Sequence, residues 1–361
     1  MIGQLAQAPG APCPTLVLDA DGLPLTEQLI RPLLARARRH LVDAGHEDVL
    51  KIALISRSAH PLFDLDYLFV QCLPESPDAF DFRGSCGHSI LCSVLVAGAR
   101  RLVAQPAPGD RVRLRVLNNG DHAVCEVDEA RRGSCDFTLH FVQQPGTTLD
   151  RTLMTGRPLD RVTTARSAYD VSLVSLGNPY VFVDARDLGL HTQAALFGAG
   201  DDVFEEIQEI RRAASAVLGT DPSSVFPKIA LVGSYDRARL SARAISVPSW
   251  HPTLALTGIT CLATATTVRG TVPARLLGGA AEEITRVGIE TAGGSTVAEV
   301  RSDHRQPGKP LLQWVSVSGK RAGLLSGPLA IGSATNLVAP FAPSPDPALD
   351  KEASPWAPST V

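Results

Sequence analysis

The sequence Lys-Ile-Ala-Leu-Ile-Ser at residues 51–56 recurs as Lys-Ile-Ala-Leu-Val-Gly at residues 228–233. Both are short, mainly apolar runs, and such runs are typical of buried strands. Amphipathic helical patterns precede them, at residues 25–44 and 203–218. The same helix-then-strand unit therefore occurs twice, which predicts an α/β or α+β protein built from two similar halves.

An uncharged helix is predicted after each of these strands. Gly-Ser-Cys-Gly-His-Ser at residues 84–89 opens a helix over residues 90–99, and Thr257-Gly258 opens another over residues 259–268. A helix that is apolar on all sides is typically buried, so we expect one central helix in each half. Further strand-like runs occur at residues 66–72, 112–116, 123–127, 136–142, 180–183 and 312–317.

The predicted domain organisation follows from these elements. The first half spans residues 1–155 and the second spans residues 156–340, with a break where Gly, Thr and Pro cluster. Residues 341–361 are rich in Pro, Ala and Ser without periodicity, which predicts a disordered tail.

Composition limits the partners and the location of the protein. The 361 residues carry a formal net charge of -3 with no long Lys/Arg cluster, so we do not expect nucleic acid as a partner. The seven cysteines lack metal-ligand spacing and no signal-peptide pattern begins the chain, which predicts reduced thiols and a cytoplasmic protein. The longest uncharged stretch, residues 244–268, is interrupted by prolines and threonines, so no membrane span is expected.

Motifs for common cofactors are absent from the sequence. It contains no phosphate-cradling G-x-x-x-x-G-K-[ST], no dinucleotide-binding glycine motif between a strand and a helix, no zinc-enzyme spacing and no G-x-S-x-G. We therefore expect neither a cofactor nor a metal, which leaves thiol and amine chemistry.

Cys86 stands at the predicted start of the first buried helix. Free backbone N–H groups and the positive dipole end lower a thiol pKa there, which makes Cys86 a candidate base. The same N–H groups can hold a carboxylate, and this brings in Ser85, Gly87 and His88, with Thr257 and Gly258 at the second helix start. The spacing is equally compatible with Cys86 as a small apolar residue that only begins a helix.

Lys51 begins the first apolar strand in a chain with only five lysines. Burial lowers the proton affinity of an amine, so Lys51 is a candidate acid–base partner for Cys86. A solvated lysine at a strand start is the commoner arrangement, and we favour it for Lys228 at the matching position. His88 and His251, both near helix starts, are candidates for anion binding or proton transfer, although capping or surface roles fit them as well.

These residues resemble the 2-methylaconitate cis-trans isomerase and methylitaconate isomerase family, which has the diaminopimelate epimerase-like fold. The resemblance runs in family order and rests on the following segments: K-I-A-L-I-S-R-S at 51–58, D-Y-L-F at 66–69, G-S-C-G at 84–87, G-N-P at 177–179, V-F-V at 181–183, P-K-I-A at 227–230, L-T-G at 256–258 and G-T at 270–271. It implies two pseudo-symmetric domains, each a curved mixed sheet around a central buried helix.

The resemblance also implies a catalytic pair and a reaction. Lys51 and Cys86 match the family's catalytic lysine and cysteine, and Asn178 and Arg321 join the expected substrate-binding residues. The implied reaction is an allylic proton transfer that shifts or isomerises a C=C bond of a small unsaturated carboxylate without a cofactor. A homodimer is one of the assemblies we consider.

Several segments depart from the family pattern. The family's G-G-T-S-K-G is Pro-Gly-Ala-Pro-Cys-Pro at residues 9–14, and Ser85 and His88 replace the asparagines of N-C-G-N. The G-H-P-S-G segment reads Glu-Thr-Ala-Gly-Gly at residues 290–294, and only Arg321 remains of R-S-A-R. These losses of polar side chains favour a less charged substrate, as in specialised metabolism.

Two other functions stay open beside the isomerase. An α-carbon epimerase or racemase needs a second cysteine facing Cys86, whereas Thr257-Gly258 occupies that place and Cys261 lies a turn deeper. A protein repurposed for small-molecule binding or cyclisation is consistent with the lost polar residues, but the retained Cys86 and Lys51 argue against it.

Overall fold

The computed structural model describes residues 2–23, 25–236, 238–246, 249–278, 282–305 and 309–331. The predicted tail at residues 341–361 lies outside the described residues. The strands are β1 (Ile2–Gln7), β2 (Thr15–Asp19), β3 (Lys51–Arg57), β4 (Leu65–Cys72), β5 (Phe80–Asp81), β6 (Arg111–Val116), β7 (His122–Arg131), β8 (Ser134–Val142), β9 (Asp160–Thr163), β10 (Ala168–Leu176), β11 (Asn178–Asp184), β12 (Lys228–Asp236), β13 (Arg239–Ser246), β14 (Ser249–Trp250), β15 (Ile284–Thr291), β16 (Gly294–Asp303), β17 (Leu311–Leu324) and β18 (Leu329–Ala330). The helices are α1 (Glu27–Asp43), α2 (Gly87–Ala99), α3 (Gln193–Phe197), α4 (Asp201–Leu218), α5 (Leu256–Thr267) and α6 (Val272–Leu277), with 3-10 turns at Leu149–Thr152 and Ala185–Leu188.

The strand pairing repeats between the two halves of the chain. In the first half β2 pairs parallel with β3, β3 antiparallel with β4, β4 parallel with β6, and β6, β7 and β8 follow as an antiparallel meander. In the second half β11, β12, β13, β15, β16 and β17 pair in the same order and directions. Helices α1 and α4 occupy the first parallel connection of each half, and α2 and α5 the second. The predicted repeat of helix and strand is therefore confirmed.

The central helices α2 and α5 are buried along nearly their whole length, as their uncharged sequences predict. Their side chains belong to one continuous hydrophobic cluster that also includes the inward faces of strands from both halves. Helices α1 and α4 are amphipathic, and each covers the outer face of its own half over a smaller cluster. The two halves thus share a core, and the predicted domain boundary near residue 155 stays a prediction.

Strand β17 connects the halves. It lies beside β16 in the second half, but residues 320–323 pair antiparallel with β8, and Gly323 and Leu324 pair with β1. It also packs against α2. Strand β17 is therefore the last strand of the second meander and is also part of the sheet around α2, the first central helix.

In the part of the chain that the structure describes, no helix is both long and apolar enough to cross a membrane. The uncharged stretch at residues 244–268 instead contributes the end of β13, the short strand β14 and the whole of the 12-residue helix α5.

The buried position of α2 predicts a large cost for removing a side chain from it. Leu91 on α2 is 0% exposed, whereas Leu62 in a surface loop is 65% exposed. We expect Leu91→Ala to lower the free energy of unfolding by about 2–5 kcal/mol, and the matched Leu62→Ala to change it by no more than about 0.5 kcal/mol. Denaturant titration of both variants checks this, and equal effects would contradict the central position of α2.

Candidate active site

The two central helices begin against each other. A Cβ atom on Gly87, the first residue of α2, would lie only 2.5 Å from the Cβ atom of Leu256, the first residue of α5. Only glycine fits at residue 87 without moving α5. The first N–H groups of a helix have no acceptor within it, so two sets of free donors and two positive dipole ends meet here.

Asn178 holds the two helix starts together. Its side-chain oxygen accepts from the Ser85 backbone N–H at 3.0 Å, and its amide nitrogen donates to the Ser85 carbonyl at 2.9 Å and to Thr257 Oγ1 at 3.1 Å. The side chain is 1% exposed. Because both amide hydrogens are used inside the protein, Asn178 positions the helix starts. Its predicted contact with substrate stays a prediction.

Cys86 is the residue immediately before α2, in an extended conformation and partly exposed beside the buried helix start. Burial raises the pKa of its thiol, but the positive charge of Lys51 and hydrogen bonds from Ser89 outweigh that effect, and the net pKa lies below the usual value. Tyr67 donates its hydroxyl to the Cys86 carbonyl at 3.1 Å and fixes the backbone. Cys86 therefore ionises more readily than an ordinary cysteine.

Lys51 and Lys228 occupy equivalent positions on their strands. Lys51 is paired with Thr15 across the β2–β3 ladder, and Lys228 with Tyr180 across the β11–β12 ladder. Both charges act on Cys86 and lower its pKa. The favoured solvated role does not describe Lys228, because burial lowers the pKa of its amine and its Nζ lies 5.7 Å from the centroid of the Phe226 ring.

Lys51 has no ion-pair or hydrogen-bond partner for its amine among the described residues, although it is only 6% exposed. A buried ammonium is costly unless an anion reaches it, and the Cys86 thiolate is one anion on which the Lys51 charge acts. The positive charge of Lys51 lowers the pKa values of Cys86, His88 and His251. The amine therefore acts on groups at both helix starts.

His88 and His251 lie on opposite sides of the junction between the helix starts. Their rings stack with centroids 6.4 Å apart and an angle of 22° between the planes. Burial lowers the pKa of both imidazoles well below the usual value, so both rings are neutral at pH 7. His251 Nδ1 accepts from the Thr253 backbone N–H at 3.1 Å, which leaves its proton on Nε2. The His251 ring can therefore donate one hydrogen bond.

The two segments that depart most from the family pattern meet beside this junction. Thr253 Oγ1 donates to the Gly10 carbonyl at 2.9 Å, and Gly10 has the positive φ of +88° that a glycine turn needs. A Cβ on Gly293 would lie 2.6 Å from the Pro252 carbonyl oxygen. The turn at residues 9–14 and the hairpin at residues 290–294 therefore both line the loop that leads into α5.

Cys13 is a second thiol near the site that the sequence did not single out. It lies just before β2 and is partly exposed. The charges of Lys51 and Cys86 both affect its pKa. Burial raises the pKa of Cys13, so this thiol ionises less readily than that of Cys86. The signal available in the sequence was the replacement of the family's amine and hydroxyl by a thiol in residues 9–14.

Six of the seven predicted binding residues are brought together, and Arg321 is not. Ser85, Gly87, His88, Asn178, Thr257 and Gly258 are all buried at the helix starts. Arg321 projects from the other face of β17 and donates to Asp136 at 2.9 Å, in a surface pocket that also contains Asp128 and Glu129. That acidic surface would repel a carboxylate, and the predicted role of Arg321 has no support from its position.

The thiols of Cys92 and Cys261, inside the helices, are buried in the core. Burial raises the pKa of Cys92 to about 12. Cys261 is fully buried and makes sulfur hydrogen bonds with the backbone of Leu176 and Asn178, and burial raises its pKa far above the usual value. Within the described ranges no group of three His, Cys, Asp or Glu side chains is arranged to hold a metal ion.

Comparisons with known proteins show the family of the chain and its fold. The family model described as PrpF protein matches residues 42–328. The 3-methylitaconate isomerase of Eubacterium barkeri is 27% identical over 279 residues, which covers 66% of this chain and 73% of that protein. The crystal structure of a methylitaconate-delta-isomerase superposes with a TM-score of 0.64 at 23% identity over 96% of this chain and 99% of that one.

A probable proline racemase from Agrobacterium radiobacter K84, solved with bound carbonate, superposes with a TM-score of 0.59 at 15% identity, covering 95% of this chain and 94% of that one. The fold is therefore the diaminopimelate epimerase-like fold that these neighbours share, and the predicted fold class is confirmed.

The electrostatic setting of Cys86 leads to a prediction about its reactivity. Because the positive charge of Lys51 stabilises the thiolate, we expect Lys51→Met to raise the pKa of Cys86 and to move its alkylation by iodoacetamide to higher pH. Mass spectrometry of labelled peptides across a pH series measures the shift. Lys309→Met, at an exposed residue, is the matched control. An unchanged alkylation profile in Lys51→Met would show that the two groups do not interact.

Proposed function

This isomerase belongs to the PrpF protein family, and we propose that it shifts or isomerises a C=C bond of a small unsaturated carboxylate by allylic proton transfer. The observation that carries the proposal is the lowered pKa of the Cys86 thiol at the start of α2, beside the buried amine of Lys51. A thiolate and an ammonium side by side supply a base and an acid for one substrate.

The substrate is held by its carboxylate at the junction of the helices. The first N–H groups of α2, at Gly87 and His88, point out of the helix start, and those of α5 do so opposite them. A carboxylate bound there places its neighbouring carbon beside Cys86. Hydrogen bonds to the carboxylate strengthen as negative charge builds on its oxygens, which favours the transition state over the ground state.

The proton transfer needs only groups that the chain supplies. The Cys86 thiolate takes a proton from the carbon next to the carboxylate, the C–H electrons move into a dienolate, and the Lys51 ammonium returns a proton at the far end of the C=C–C unit. A proton then passes from the Cys86 thiol to the Lys51 amine and restores the starting state. The charge of Lys228 stabilises both the thiolate and the dienolate.

The epimerase or racemase alternative requires a second thiol opposite Cys86. Cys261 does not supply it, because its sulfur is buried, hydrogen-bonded to backbone groups and held protonated. Cys13 is close to Cys86 but comes from the same half of the chain. The amine of Lys51 is the better placed partner, and this favours the allylic shift.

Further expectations belong to the same proposal. Independence from cofactors follows from the balanced proton transfer between Cys86 and Lys51. A cytoplasmic location, a homodimer and a role in specialised metabolism stay predictions from the sequence.

Deuterium incorporation tests the reaction type. With 3-methylitaconate as the probe, turnover in D₂O should place deuterium on the product carbon that receives the returning proton, because Lys51 exchanges its protons with solvent. Proton NMR of the product measures this. Product formed without deuterium at any carbon would argue against a proton shift through exchangeable groups.

Matched substitutions test the two catalytic residues. We expect Cys86→Ser and Lys51→Met each to lower kcat about 100-fold or more, since each removes a general acid–base group. Cys92→Ser makes the same chemical change six residues further along the chain, at a buried protonated thiol inside α2, and should retain most of the activity. Full turnover in both Cys86→Ser and Lys51→Met would rule the mechanism out.

A further inference from the structure

Strand β17 presents neighbouring residues to opposite faces of the sheet. Arg321 lies opposite Asp136 on β8, and its guanidinium binds that carboxylate at the surface. Lys320 lies opposite Phe137, which is fully buried, and it precedes the buried Ala322 by two residues. Since side chains alternate along a strand, Lys320 is on the inner face, which packs against α2.

The Lys320 side chain is on the face of β17 that packs against α2, and its charge affects the start of that helix. Its positive charge acts on His88, the second residue of that helix, together with the charges of Lys51 and Lys228. Burial lowers the pKa of Lys320 to about 8, so the amine is out of bulk water yet mainly protonated at pH 7. The charges of three of the five lysines in the chain therefore act on the same helix start.

Among the described residues none of these three amines forms an ion pair with a carboxylate, and the Cys86 thiolate is the anion that acts on Lys51 and Lys228. Every ion pair among the described residues uses an arginine or a histidine as its cation, although the molecule contains many such pairs. The two histidines of the junction are neutral, and Asp81, the carboxylate that acts on Lys228, is paired with Arg83. Like charges that share a site repel one another, and a bound anion relieves that repulsion.

One carboxylate bound at the helix starts, beside Lys51, leaves Lys320 on β17 with no partner. We propose that Lys320 is a specificity-determining residue that binds a second carboxylate of the substrate, remote from the carbon that loses its proton. The proposal rests on the proposed function for the position of the reacting end. It assigns to Lys320 the role that the family pattern suggested for Arg321, and it requires a substrate with at least two negative charges.

Equilibrium binding tests the role of Lys320 without turnover, so a failed proton-shift mechanism and a failed binding role are distinguishable. The probes are glutarate, with two carboxylates, and butyrate, with one, titrated calorimetrically into the full chain at pH 7. We expect the unsubstituted protein to bind glutarate more tightly than butyrate. Lys320→Met should weaken glutarate binding about tenfold or more and change butyrate binding by less than about threefold.

Two further variants control the experiment. Lys320→Arg keeps the positive charge and should keep most of the preference for glutarate, which separates charge from packing. Arg321→Met removes the neighbouring cation on the outer face and should leave both affinities unchanged. The inference is overturned if the unsubstituted protein shows no preference for glutarate, if Lys320→Met retains that preference, or if Arg321→Met abolishes it.

Discussion

Gly87 and Leu256 touch where α2 and α5 begin, and this contact leaves room at residue 87 for nothing larger than a hydrogen atom. Two helices that meet start to start bring together positive dipole ends and unsatisfied N–H groups, which repel one another in a dry interior. Asn178 satisfies the backbone of Ser85 and ties it to Thr257. The packing of the core therefore brings two helix starts together, and such a junction favours the binding of an anion.

Lysine side chains add positive charge to that of the helix starts. Lys51 and Lys228 occupy equivalent positions in the strand ladders of the two halves. The internal repeat therefore places two amines whose charges both act on Cys86. Lys320 comes from the strand that both halves share. Unpaired buried cations destabilise the free protein, and natural interiors rarely keep them without a function. The less charged substrate expected from the lost polar residues stays a prediction, and the proposed role of Lys320 departs from it because Lys228 and Lys320 add two amines to the site.

The sequence predicted the central and outer helices because their patterns differ sharply: α2 and α5 carry no charge, whereas α1 and α4 alternate apolar and charged faces. It missed β15 and β16, although Val287 and Ile289 are buried in alternation with polar neighbours. Lys320 was missed for a related reason. Matching letters to a family motif selected Arg321, whereas the two-residue period of the strand decides which of the two side chains faces inward.

Which strands surround a helix cannot be inferred from a local pattern, because sheet pairing depends on residues far apart in the chain. The contact between Gly87 and Leu256 joins residues that are distant in sequence, and the hydrophobic periodicity of the sequence does not predict it. The same holds for Cys13, whose neighbours Lys51 and Cys86 come from other elements. The candidate catalytic pair, Lys51 and Cys86, could be predicted from the sequence. The additional positive charges of Lys228 and Lys320 could not.

The pairing of β17 with β1 and β8 has a consequence for how the protein is made. Residues 2–142 leave the ribosome well before residues 311–324, so the first half emerges with the edges of β1 and β8 still open. An open edge is a template for pairing with another chain, and long-range pairings form slowly. The nascent first half is therefore the stage at which this protein is most exposed to aggregation, and chaperone engagement would matter most before β17 is synthesised.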